Sequence, residues 1–386
     1  MTDSRTNKWY RWTVIAAAVA VLVVGVRTCQ ASRQTLRTIN QAGSEAAPEP
    51  GLTLQNVTLE QPDEDGTLLW KVKAKEVVYS ANQKIADIKE IEGEFYQDGK
   101  AIYKVKGDRG EVAQDAKVMR LEGNVVATGI ESQLTLRGEE LEWRPEEDLL
   151  LVENQISGTH PQLKATAQQA RLSNQSQQLD LSGGVTAATT AEPWLGFQSE
   201  ALTWYIDQAR LVTETGLKTE QYRSQTDKTV TARLVGERGN VNLNQKTVLI
   251  ENAVQLDLPE QPVRATSSIA LWQIEDQQIV IDAPVQVQQP QQQVTISANQ
   301  ARMNLAAQVI NFVENVRAIA AQNSAELLAD RLTWQLESQD VTAQGNVSYR
   351  QQNPLTVLSG DRAAGNLERQ TVVVTGGDVV TEIVPP

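Results

Sequence analysis

The stretch Arg120–Gly129 reads RLEGNVVATG. Met119, Leu121, Gly123, Val125 and Ala127 share one parity, the alternation of a strand with one buried face. Gly123-Asn124 interrupts it with residue types that tolerate positive φ. A bulge or sharp bend is therefore expected there, where the strand passes from one sheet to the next. The phrase returns as LSGGVTAAT at Leu181, AQGNVSYR at Ala343 and TGGDVVTE at Thr375.

Working outward, the apolar residue that follows each turn-like pair is Phe95, Val125, Ile156, Val185, Leu217, Val254, Val285, Val316, Val347 and Val379. Successive separations are 30, 31, 29, 32, 37, 31, 31, 31 and 32 residues. So steady a period marks an array of supersecondary units of ~31 residues. A second landmark keeps the beat: Trp143, Trp272 and Trp334 each lie 18 residues after their unit's valine, Trp204 lies 19 after Val185, and Met303 holds the place in another unit. Large apolar residues at regular strand positions read as core plugs in preference to ligand-stacking platforms.

Composition fits an all-β protein. The chain has 386 residues, enough for two domains of ordinary size plus a tail, with only 5% aromatics and many Gln, Asn, Thr and Ser at polar positions. A net charge of -13 disfavours nucleic acid as a partner. One cysteine, Cys29, and one histidine, His160, build neither a disulfide framework nor a Cys/His metal cluster. His160 precedes Pro161 and is expected as a surface imidazole in a turn. The acidic clusters Asp63-Glu64-Asp65, Glu139-Glu140 and Glu146-Glu147-Asp148 lack a repeating calcium-ligand spacing and read as solvated turns. No phosphate-cradling loop followed by lysine occurs, so any ATP hydrolysis would belong to a partner. With His160 alone and the acids spread along turns, neither catalysis nor a cofactor is expected.

The N-terminus is of a different material. Basic residues Arg5, Lys8 and Arg11 precede an uncharged segment, Trp12 to Val26, closed by Arg27. With Trp9, Tyr10 and Trp12 at the interface and Arg27 snorkelling, it reads as a single transmembrane helix with a cytoplasmic tip, residues 1–28. A cleaved signal peptide is the competing reading, with small residues around Cys29-Gln30-Ala31. Arg27 spoils a lipoprotein reading of Cys29. Residues 29–50 lack an apolar period and form a flexible linker. Two β regions follow, 51–195 and 196–386.

The opening strands carry a resemblance. Leu54, Val57, Gly66, Trp70, Ala74 and Tyr79, followed by Gly123-Asn124-Val125 and preceded by one membrane segment, resemble the LptC family, the membrane-anchored bridge component of lipopolysaccharide export. The likeness covers Leu52 to about Thr190. Beyond it the chain repeats the same units, whereas usual members have one such domain.

The resemblance implies an extended or tandem β-jelly roll, an open V-shaped β-sandwich with a groove for acyl chains. It also implies an inner-membrane, single-pass protein with its bulk in the periplasm. Its partners would be lipopolysaccharide or a similar glycolipid, inner-membrane ABC transporter subunits and a downstream bridge protein resembling LptA. Val125, Val185, Val254, Val285, Val316 and Val347 are the groove candidates. Leu54 and Val57 at one end, with Val373 and Val379 at the other, are candidate docking strands, since bare sheet edges invite a partner. The rival reading is a structural or glycan-binding β-solenoid at the cell surface, with the same period and a dry core.

Overall fold

The computed structural model describes residues 52–79, 85–113, 118–352, 355–376 and 380–384. Trp12, Val26 and Val379 lie outside them. Among the described residues twenty-six strands run from Leu52–Pro62 to Val380–Val384, with single turns of 3-10 helix at Pro145–Glu147, Pro290–Gln292 and Ala321–Asn323. No described helix is long and apolar enough to cross a membrane.

All the strands belong to one antiparallel sheet. Where a bent strand is broken into two short ones, as at Arg210–Thr213 and Leu217–Tyr222, each half pairs with the flanking strands and not with the other half. The ladder runs unbroken across the boundary between the two expected β regions, where Gln178–Thr189 pairs with Leu195–Tyr205. Most strands are ten residues or longer and bend once near the middle, so the sheet is folded into two leaves facing each other. The first leaf turns its hairpins at residues 145–148, 174–177, 206–209, 243–246, 274–277, 305–308, 336–339 and 367–370. The second turns at 130–134, 160–162, 190–194, 223–229, 259–262, 290–293 and 321–324.

The bend is a pair of consecutive left-handed residues. Gly123 and Asn124 have φ of 76° and 48°, Gly183 and Gly184 both 82°, and Gly345 and Asn346 77° and 48°. The ladder slips at these points, between Glu122 and Val125 for instance, as a bulge requires. A Cβ on Gly345 would stand 2.3 Å from Asp330 Oδ2, so the carboxylate would have to move aside. Asn346 fits because its Nδ2 donates to that same oxygen at 2.9 Å, and Asn124 repeats the contact on Asp108 at 2.7 Å.

Three of these paired bends lack glycine: Asn154-Gln155, Asn252-Ala253 and Glu314-Asn315 take the same conformation. A left-handed residue other than glycine costs about 1–2 kcal/mol. Burying the Ile or Val that follows contributes about 1.5–3 kcal/mol, which offsets much of that strain.

One assignment shifts. The strand Ile85–Gln97 bends at Glu90, φ 50°, so the residue after the bend is Ile91 and not Phe95. Gly93 lies in flat strand because it touches the neighbouring strand, where a Cβ would meet Lys71 O at 2.3 Å. Phe95 is buried all the same, stacked on Trp143 with ring centres 5.5 Å apart.

Candidate functional site

The interior between the leaves has two ordered rows. The first is the floor at the bends, where Val125, Val185, Val254, Val285, Val316 and Val347 are all at most 3% exposed. Their cross-strand partners are small: Gly138 opposite Val125, Ser199 opposite Val185, Ser267 opposite Val254 and Val285, Ala329 opposite Val316, Gly360 opposite Val347. Small partners let the sheet fold sharply. A Cβ on Gly138 would come within 2.7 Å of Val152 Cγ1.

The second row lies in the first leaf, beside the hairpins. Trp143 pairs with Met119 and Leu150, Trp204 with Leu179 and Leu211, Trp272 with Val248 and Ile279, and Trp334 with Ile310 and Val341. Linking pairs such as Leu150 with Leu172 and Ile279 with Met303 make this one continuous row, with a tryptophan on every fourth strand. At ~4.8 Å per strand the indoles stand about 19 Å apart. All four are at most 1% exposed, as core plugs should be. Yet none of their Nε1 atoms has a hydrogen-bond partner. A buried donor left unpaired costs about 1–3 kcal/mol.

Opposite the floor the two sets of hairpins meet at a mouth, bridged by side chains. Gln97 Nε2 donates to Asp148 Oδ1 at 2.7 Å, and Asn174 Nδ2 donates to Gln97 Oε1 at 2.6 Å. Gln162 Nε2 donates to Asn244 Oδ1 at 3.0 Å, and Gln370 Nε2 to Gln322 Oε1 at 2.8 Å. Asp148, 8% exposed, also accepts from Ser173 Oγ and from the backbone N–H groups of Asn174 and Gln175.

Between the bridges lie cavities of about 270 Å³, among Tyr222, Leu258, Met303 and Leu336, and about 150 Å³, among Pro161, Leu195, Val241 and Ile274. A third, about 90 Å³ and mostly apolar, lies among Ile296, Leu327, Val341 and Val372.

His160 departs from the expected surface imidazole. It is half-buried at the mouth, edge-on to Trp204 with centroids 4.9 Å apart, and its Nδ1 accepts from the Gln162 backbone N–H. Burial lowers its pKa below 6.5, against the raising effect of the Ser132 backbone. Glu220 is a buried carboxylate. Desolvation works to raise its pKa, but hydrogen bonds from Lys218 and Arg233 prevail and lower it. Arg233 Nε stands at 2.7 Å and Tyr222 Oη at 3.1 Å, so this charge is held in place with no reactive partner beside it. No group of three metal-ligating side chains occurs among the described residues.

Among the described residues, each end of the sheet has a strand with one side unpaired. Leu54 and Val57 lie on Leu52–Pro62, which among the described residues pairs only with Leu68–Tyr79; both are half-buried against the core. Val373 lies on Thr371–Thr375, which pairs with Leu355–Asn366, and its side chain is 61% exposed.

A long two-leaved β repeat closed around one continuous apolar core, with side-chain bridges along its mouth, defines an extended all-β sandwich. The family follows from the sequence match: the model for lipopolysaccharide-assembly, LptC-related proteins fits residues 13–189, 197–319 and 271–377, and the chain belongs to that family. No curated protein matches the chain. Membership places the protein in lipopolysaccharide transport.

The sequence pointed to the floor valines and the tryptophan positions. The mouth bridges and Asp148 escaped it, because their partners are up to 82 residues apart and polar residues in turns ordinarily face water.

Proposed function

We propose that this protein shelters the acyl chains of lipopolysaccharide or a similar glycolipid between its leaves and passes the lipid along the sheet axis, without catalysis. The observation that supports this most is the continuous apolar interior shared by both halves of the chain, with the floor valines as its lining. Each CH₂ withdrawn from water contributes about 0.8 kcal/mol, so several chains hold a lipid without any grip on its head group. The acidic exterior leaves a phosphate-bearing head in water.

In this reading residues 12–26 anchor the chain in the inner membrane, with the bulk in the periplasm. The chain is then two family units in tandem, meeting near residue 195. The strand carrying Leu54 and Val57 docks on the ABC transporter's membrane subunits, and the strand carrying Val373 docks on a downstream bridge protein resembling LptA. A photoreactive residue at Val125, Val254 or Val316 should crosslink to lipopolysaccharide during transport, whereas one at the exposed Lys104 should not. Equal capture at both sets would sink the proposal.

A structural solenoid keeps one observation on its side. The cavities along the mouth are smaller than the ~300–1,000 Å³ typical of ligand sites, so lipid entry requires the leaves to part. Mass spectrometry of lipid copurifying with the full chain separates the readings: a scaffold carries none.

A further inference from the structure

The four tryptophans solve a packing problem that other residues solve equally well. Met303 and Val241 occupy the same interior row without a polar atom. Indoles at Trp143, Trp204, Trp272 and Trp334 bring, in addition to bulk, four N–H donors that are buried and unmatched. They recur at one register position on every fourth strand, so the unmatched donor is a property of the repeat and not an accident of one site. The cavity of about 270 Å³ adjoins the row at Met303 and Ile310, between Trp272 and Trp334, and the cavity of about 90 Å³ adjoins it at Val341, beside Trp334.

A donor in an apolar lumen selects for an acceptor that arrives with an apolar body. Acyl chains meet that description only near their linkages, where ester and amide carbonyls or chain hydroxyls sit at the end of the hydrocarbon. We propose that the indole N–H groups of Trp143, Trp204, Trp272 and Trp334 form a row of equivalent stations that donate hydrogen bonds to the carbonyl and hydroxyl oxygens of an acylated lipid. The row makes the lumen selective for oxygen-bearing acyl chains over plain hydrocarbon, and it sets resting positions about 19 Å apart along the transfer path. The inference rests on the lipid-sheltering reading above and adds to it the atoms that read the lipid.

The test uses the full-length chain labelled with ¹⁵N at the indoles and purified hexa-acylated lipid A as probe. Trp194 serves as an internal reference, since its Nε1 already donates to Glu192 at 3.3 Å. On binding, the N–H signals of Trp143, Trp204, Trp272 and Trp334 should move downfield while that of Trp194 stays. Trp272→Phe and Trp334→Phe should each weaken lipid A binding roughly fivefold, the worth of one ~1 kcal/mol hydrogen bond, with the β circular-dichroism signal unchanged. If Trp334→Phe disturbs folding, Trp334→Met replaces it, because methionine already stands in this row at Met303. Lipid A that binds the wild type and both variants equally, with unmoved indole signals, overturns the donor row and leaves the lipid reading standing. Failure of lipid A to bind the wild type at all overturns both.

Discussion

Gln162 and Asn244, 82 residues apart in sequence, join across the mouth: the Gln162 amide nitrogen donates to the Asn244 side-chain oxygen at 3.0 Å. One lies in a hairpin of the second leaf and the other in a hairpin of the first. The mouth is therefore closed by a few side-chain bonds, while the floor is closed by the covalent chain of every strand. If the leaves part, they part at the mouth.

Locking the mouth should stop lipid from entering. In a Cys29→Ser background, Gln162→Cys with Asn244→Cys, bridged by a short bismaleimide, is expected to abolish lipopolysaccharide capture, while the unbridged double variant retains it. Capture that survives quantitative bridging would show that lipid does not enter between these hairpins.

Asp148 is the most connected residue of the mouth. Asp148→Ala strands the Gln97 amide, the Ser173 hydroxyl and two backbone N–H groups, and should cost about 2–3 kcal/mol in urea unfolding. A change below about 0.5 kcal/mol, the level of an ordinary surface substitution, would mean that water replaces the carboxylate there.

The bends separate strain from crowding. Gly184 has φ of 82° and open space around its missing Cβ, so Gly184→Ala carries only the backbone penalty, about 1 kcal/mol. Gly345→Ala adds a collision with Asp330 and disturbs the Asn346 bond, and should cost at least twice as much. Equal shifts in the unfolding midpoint would contradict the geometry of the bend.

His160 links the mouth to pH. Burial lowers its pKa, so the folded state prefers the neutral ring and the unfolded state takes up the proton first. Its stabilising contribution is full above about 6.5 and is lost as pH falls from 6.5 through the lower folded value. The unfolding midpoint should drop over that window, and His160→Phe should flatten the drop. A slope that persists unchanged in the variant would assign it to carboxylates instead.

Val373→Pro removes a backbone donor from the terminal strand and fixes φ. It should abolish binding to the downstream bridge protein with the β circular-dichroism signal unchanged. Binding as tight as wild type would show that Thr371–Thr375 is not the docking edge.

The sequence by itself determined the repeat, the alternation and the bends that carry glycine. Gly123-Asn124, Gly183-Gly184 and Gly345-Asn346 are legible because those residue types hold positive φ at little cost. It equally determined which residues face inward, since Val125, Trp143 and their counterparts follow from a period of two within a period of ~31.

Tertiary structure decided the rest. Asn252-Ala253 and Glu314-Asn315 adopt the same bend only because pairing on both sides and burial of the next valine outweigh their local preference. Gly93 imitates a bend in sequence and is held flat by Lys71 and Val72. The Gln97–Asp148 and Gln162–Asn244 bridges and the unpaired indole N–H groups depend on which hairpins of the two leaves face each other across the lumen. That is fixed by how sharply the whole sheet folds over, a sum over many bends that no local stretch of sequence contains.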